Sequence, residues 1–191
     1  MYKEKKFLCV IPARKGSKRI KWKNIVPLAG KSLLEYTIEC AKKSIYIDRV
    51  IVSTDSYFIK KLAQQNGVDV PFLRPRNLAT DEAKTIDVLL HTIEYCESIE
   101  NQKYDYIVLL QNTSPLRKTW QVDEAIEKIV NNDFESLVSI SALKVRPELM
   151  RKFYDDKNII PIFNEKETGN LLYRVNGAIY INKINKNLNK N

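Results

Sequence analysis

The sequence predicts an α/β fold built on a mostly parallel sheet. Three observations carry that reading. Short apolar runs alternate with segments of helical periodicity along most of the 191 residues, the order of repeated strand–helix–strand units. Residues 7–11 and 104–110 are apolar enough to be strands buried on both faces. The chain is 44% hydrophobic and 29% charged, so it is globular, and none of its apolar runs reaches the ~18 residues that span a membrane.

Taken in order, residues 7–11 form the first strand, which Pro12 ends because it cannot donate a ladder hydrogen bond. A cationic, small-residue loop follows: Ala13, Arg14, Lys15, Gly16, Ser17, Lys18 and Arg19, with Lys21, Lys23 and Asn24 beyond. Gly16 lets the backbone approach a ligand closely. A loop of this kind after a first strand is where open α/β sheets hold nucleotide phosphates. The plainer reading is a solvated basic surface. The strand directly before the loop and the Gly16–Ser17 pair favour the phosphate site.

Ser32 and Glu35 have the spacing of a capping box, opening a helix that runs to about residue 44 with Leu34, Ile38 and Ala41 on one face. Residues 50–53 are the second strand. Thr54, Asp55 and Ser56 feed a helix over 57–65 that Asn66 and Gly67 stop. Residues 68–73 are a short extended piece and 74–78 a loop. Ile86, Leu89, Leu90, Ile93 and Cys96 keep helical spacing over 84–99. The strand at 104–110 is the most apolar and belongs at the centre of the sheet, with a polar loop, 111–117, at its carboxyl end. Thr119 is the expected cap of a helix over 120–130, and 136–141 is a further strand.

From 143 to 173 the pattern loosens around Pro147, Pro161 and Gly169. An excursion from the sheet is expected there, such as a β-ribbon used for self-association. It carries Leu149, Met150, Phe153, Tyr154, Ile159, Ile160, Ile162 and Phe163, too much apolar surface to leave open on a monomer. Residues 174–181 return to strand character. The tail, 182–191, holds five asparagines and three lysines and is expected to fray. No repeat or linker divides the chain, so a single domain over 1–191 is expected, with 143–173 as its dimerisation arm.

Cys9, Cys40 and Cys96 are odd in number and set in apolar patterns, which reads as buried free thiols in a reducing cytoplasm. The basic start is followed by too few apolar residues for a signal peptide. The net charge of +9 suits nucleic acid or an anionic nucleotide. Nucleic-acid binding would call for aromatic residues interleaved with the charges, and only Trp22 qualifies.

Five segments together resemble a known family: I-P-A-R-K-G-S-K-R-I-K-W-K-N (11–24), V-S-T-D (52–55), L-R-P-R-N-L-A-T-D (73–81), L-Q-N-T-S-P-L-R (110–117) and R-V-N-G-A-I-Y-I (174–181). They are similar in order and spacing to the CMP-sialic acid synthetases, the N-acylneuraminate cytidylyltransferases with their legionaminate and pseudaminate relatives. The resemblance implies a Rossmann-like three-layer nucleotidyltransferase fold, and the apolar arm is expected to form a homodimer. It implies that CTP and a nine-carbon 2-keto acid sugar give a CMP-sugar and pyrophosphate, with Mg²⁺. It places Arg14 and Lys23 on the triphosphate as the catalytic cations. It places Ala13, Gly16, Ser17, Asn24, Arg74, Ala83 and Thr85 around the nucleotide. Gln111 and Arg174 fall beside the acceptor sugar.

Structural roles compete for several of these positions. Lys15, Lys18, Arg19 and Lys21 read as solvated charges, and Thr85 as the start of a helix. Arg117 reads as a cap on the central strand, Arg174 as an ion-pair partner, Asp55 as a helix cap, and His91 as packing rather than a general base. The chain departs from the family pattern at two places. Asn112 stands where the resemblance leads one to expect proline. The family's acidic I-D-x-D-like motif, which holds the metal, has no counterpart, since no Asp or Glu follows residue 181. The expectation is therefore a chain that binds CTP and turns over slowly. Two alternatives stand beside it, a non-catalytic CTP-binding paralogue and a cytidylyltransferase for eight-carbon 3-deoxy-manno-octulosonate-type sugars. The Lys23–Asn24 pair and the 174–181 strand argue against the second.

Overall fold

The computed structural model describes residues 1–18, 20–143, 150–156, 158–163 and 172–188. The expectations that rest on Arg19, Pro147, Leu149, Gly169 and the last three residues lie outside that set. The chain divides into two compact units, Met1–Val138 with Gly177–Asn191, and Ser139–Asn176.

In chain order the elements are β1 (Phe7–Pro12), the short strands β2 (Pro27–Leu28) and β3 (Lys31–Ser32), α1 (Leu33–Lys42), β4 (Arg49–Ser53), α2 (Tyr57–Gln65), a 3-10 turn (Arg76–Leu78) and α3 (Thr85–Ser98). Then come β5 (Tyr106–Leu109), α4 (Thr119–Asn131), β6 (Ser136–Ala142), β7 (Arg151–Phe153), β8 (Ile159–Pro161) and β9 (Tyr173–Lys183). The main sheet runs β4-β1-β5-β9-β6, so the most apolar strand is central, as its composition predicts. β1 pairs in parallel with both β4 and β5, Val10 lying opposite Ile51 and Leu109. β9 returns antiparallel to β5, with Val108 opposite Ile181.

The pleat sorts β1 between two apolar layers. Phe7, Cys9 and Ile11 face Leu34, Ile38, Val122, Ile126 and Ile129 of α1 and α4. Leu8 and Val10 face Leu89, Ile93 and Cys96 of α3. The result is a three-layer α/β arrangement, the α/β fold expected from the pattern with the layers that the resemblance implies. All three cysteines are buried and free, as expected. Among the described residues no helix is long and apolar enough to cross a membrane.

The capping box at α1 is present: Ser32 Oγ accepts from the Glu35 N–H at 3.2 Å, and Glu35 Oε2 accepts from the Ser32 N–H at 2.8 Å. Those bonds hold the Glu35 carboxyl below its ordinary range, so the box is intact at neutral pH and lost as pH falls through the lowered value. α2 has the expected bounds, with Ser56 as N-cap and Asn66 as C-cap. One reading changes. Thr119 does not cap α4; Lys118 holds the N-cap position and Thr119 is the first helical residue, its hydroxyl donating to the Cys40 carbonyl at 3.3 Å. Residues 68–73, expected as a short extended piece, make one parallel bridge, Ile51 with Asp69. The β2–β3 hairpin was not anticipated. Its two-residue turn puts Ala29 and Gly30 at φ 49° and 87°, the left-handed pair of a tight hairpin.

Within the second unit, β7 and β8 pair antiparallel with Lys152 opposite Ile160, giving the expected ribbon. Asn176 accepts from the Ser139 hydroxyl and donates to the Ser141 hydroxyl. Phe153, Tyr154 and Ile159 are exposed.

Candidate functional site

Parallel pairing brings the loops that follow β1, β4 and β5 to the same edge of the sheet, the carboxyl ends where ligands of open α/β folds bind. A cleft of about 300 Å³ opens there. Arg14, Gly16, Ser17, Lys23 and Asn24 line it from the first loop. Arg74, Thr80, Asp81, Ala83 and Thr85 line it from the segment before α3, and Gln111, Asn112 and Thr113 from the loop after β5. Nine of the sequence-derived candidates are thus gathered in one place.

Two are placed elsewhere. Ala13 is fully buried, and its N–H is already bonded to the Ser53 carbonyl at 2.9 Å, so it anchors the loop from beneath. Arg174 is an exposed residue of β9 in the second unit.

Arg14 is tied to the opposite wall. Its Nη2 pairs with Asp81 Oδ1 at 2.6 Å and its Nη1 donates to the Thr80 carbonyl at 2.8 Å. Lys18 Nζ lies 2.5 Å from the other Asp81 oxygen. The ammonium of Lys18 and the guanidinium of Arg14 hold the Asp81 carboxyl below its ordinary range. Asp81 therefore occupies these cations much as an anionic ligand would. Asp81 belongs to the quoted 73–81 segment, and its role escaped sequence reading because nothing local to it signals a partner at position 14. Lys23 makes no ion pair among the described residues.

Asp55 is not a helix cap, a role that falls to Ser56. Its Oδ1 accepts the Lys15 backbone N–H at 2.7 Å, so it shapes the phosphate-loop candidate from below. The Lys15 ammonium lies 5.3 Å from the Trp22 ring centroid, a cation–π pairing that directs it to its own loop. Arg74 is 6% exposed and braces the end of β4, donating from Nε to Ser53 Oγ at 3.0 Å and from Nη2 to the Ser53 carbonyl. Burial pulls its pKa down to about 10, so the guanidinium remains charged at neutral pH.

Gln111 is held from two sides. Arg117 is 7% exposed and donates to the Gln111 and Ala178 carbonyls at 2.6 and 2.8 Å, the strand-capping role expected of it. Gly177, at φ +76°, leaves room for the Gln111 amide: a Cβ there would lie 2.8 Å from Gln111 Oε1. Thr85 begins α3 and also lines the cleft, so both of its readings stand. His91 meets the Phe72 ring edge-on at 4.6 Å, and burial lowers its pKa, in keeping with packing.

The described residues do not make a magnesium cage. Among the described residues no three His, Cys, Asp or Glu side chains cluster as metal ligands. Asp81, the carboxylate on the cleft wall, is spent on Arg14 and Lys18.

Comparison with known proteins gives a coherent picture. Residues 8–189 match a family model described as cytidylyltransferase. The chain is 37% identical over 181 residues to the CMP-N,N'-diacetyllegionaminic acid synthase of Legionella pneumophila, covering 92% of this chain and 77% of that protein. It is 38% identical over 162 residues to the pseudaminic acid cytidylyltransferase of Campylobacter jejuni, covering 84% and 68%. Against the N-acylneuraminate cytidylyltransferase of Streptococcus agalactiae it is 35% identical over 181 residues, 91% of this chain but 42% of that longer protein. A solved structure of a CMP:2-keto-3-deoxy-manno-octonic acid synthetase with CTP shares the fold, with a TM-score of 0.71, 19% identity, and coverage of 93% of this chain and 74% of that one.

Proposed function

The chain belongs to the cytidylyltransferase family, and on that premise we propose that it transfers the cytidylyl group of CTP to a nonulosonic acid of the legionaminic, pseudaminic or N-acylneuraminic kind. The observation that carries the reading is the cleft at the carboxyl edge of the sheet, where Arg14, Lys23 and Asn24 converge with Gln111. The sugar's anomeric hydroxyl attacks the α-phosphorus, the bond to the β-phosphate oxygen breaks, and pyrophosphate leaves. Such a step depends on positioning and on neutralising phosphate charge. Arg14 and Lys23 supply cations to the triphosphate, Gly16 and Ser17 offer small donors beside it, and Asn24, Arg74, Ala83 and Thr85 shape the nucleotide wall. Gln111 faces the acceptor. We assign no metal ligand to the chain. Three buried thiols favour a reducing compartment such as the cytoplasm.

Pyrophosphate release from CTP, measured against a panel of nonulosonic acids and an eight-carbon octulosonic acid, tests the reading. Release with one or more nonulosonic acids is expected. Release with the octulosonic acid alone moves the chain to that enzyme class, and CTP binding without release on any acceptor makes it a binding protein.

The exposed Phe153, Tyr154 and Ile159 on the ribbon further support a homodimer formed through the second unit. Sedimentation at micromolar concentration is expected to give twice the chain mass, and a clean monomer sinks that part.

A further inference from the structure

Asn112 joins two loops of the cleft by side-chain bonds. It follows Gln111 in the loop after β5, lines the cleft, and is 4% exposed. Its Nδ2 donates to the Pro12 carbonyl at 3.3 Å and to Asn24 Oδ1 at 3.1 Å. Asn24 Nδ2 donates in turn to the Arg14 carbonyl at 3.0 Å. Chemistry fixes both amides the same way round. A backbone carbonyl only accepts, so each NH₂ group must face its carbonyl, and the Asn24 oxygen is then left facing the Asn112 amine. The bonds run from the end of β1 through Asn112 and Asn24 to the carbonyl of Arg14. They close across the cationic loop at its two ends.

Among the described residues, Asn112 Oδ1 is buried without a hydrogen-bond partner. An unpaired buried acceptor works against stability, so packing alone does not account for an amide at this position. Proline, the residue the resemblance leads one to expect there, has no side-chain donor and could not make either bond.

We propose that Asn112 is a positioning residue of the cleft. By orienting the Asn24 amide it holds the loop of residues 13–24 in its ligand-binding shape and ties that loop to the one carrying Gln111. The proposal rests on the CTP reading for its functional arm only.

The test compares Asn112→Ala and Asn112→Leu with the parent chain. Leucine keeps the branched shape at a somewhat larger volume and loses both the donor and the orphan oxygen. Three quantities are read: CTP affinity by calorimetry, melting temperature, and amide exchange of the loop. The loop reports through Lys15, Lys23, Ile25 and Val26, whose N–H groups are bonded to Asp55, Ile20 and Trp22. Both variants are expected to bind CTP about 10-fold more weakly, the loss of roughly one restraint of this kind. Those four amides should exchange faster while β1 and α4 stay protected, and the melting temperature should move by only about 3 °C. Unchanged affinity with unchanged exchange overturns the proposal. A large fall in melting temperature with exchange rising across the whole sheet also overturns it, because the residue is then structural. If the parent chain itself fails to bind CTP, the functional reading falls, and the exchange arm still decides whether Asn112 holds the loop.

Discussion

Replacing Lys23 with alanine is expected to weaken CTP binding by about 3 kcal/mol, more than a hundredfold, and replacing Arg14 by about 1.5 kcal/mol, roughly tenfold. Both residues line the cleft, and both are cations, yet their situations differ. Lys23 makes no ion pair among the described residues, so its full charge is available to a triphosphate. Arg14 is held by Asp81 and by the Thr80 carbonyl, and any bond it makes to phosphate is net of the bonds it gives up. A bound anion must also face the Asp81 carboxylate, which subtracts from what the surrounding cations offer. Lys15→Ala is the control. Its side chain lies over Trp22, so its loss should change affinity little. Calorimetry at two salt concentrations decides the matter. Equal and small losses at all three positions would mean that the basic loop acts as a diffuse patch. A larger loss at Arg14 than at Lys23 would show that the Asp81 pair orients Arg14 rather than competing for it.

Much of the scaffold was legible because its signals are local. Ser32 with Glu35, and Ser56 with Asn66 and Gly67, mark helix ends through bonds made within a few residues, so α1 and α2 fall close to where the sequence puts them. The central position of β5 follows from its apolar composition, since that strand must bury both faces. The β2–β3 hairpin escaped because strands of two residues have no period to detect. Thr119 was misplaced by one residue because Ser and Thr serve both as caps and as first-turn residues, and the Cys40 carbonyl that takes its hydroxyl lies on another helix. The cleft divides the same way. Its cationic loop was legible from charge and from the strand before it. Asp81 against Arg14, Asp55 beneath Lys15 and Asn112 against Asn24 span 40 to 88 positions, and only the fold creates them.

The Arg117→Ala chain is expected to be destabilised by about 3 kcal/mol, lowering the melting temperature by roughly 6–12 °C for a protein of this size. The guanidinium is 7% exposed and satisfies two carbonyls, those of Gln111 and Ala178. Truncation leaves both without their donor at about 1–3 kcal/mol each and opens a void where the side chain was. Against this stands the burial of a cation that no carboxylate pairs among the described residues. Burial lowers its pKa, which shows that the fold gives up some stability to keep it charged. Arg117→Met separates the two effects, because it fills most of the volume and removes the charge together with the bonds. If the bonds outweigh the buried charge, the methionine chain should melt between the alanine chain and the parent. A methionine chain as stable as the parent, or more so, would mean that the arginine is kept at a cost, in the way buried ion sites often are. Its role would then lie in holding the Gln111 backbone at the rim of the cleft. CTP affinity and acceptor KM, measured on that same variant, would show the loss that the melting temperature does not.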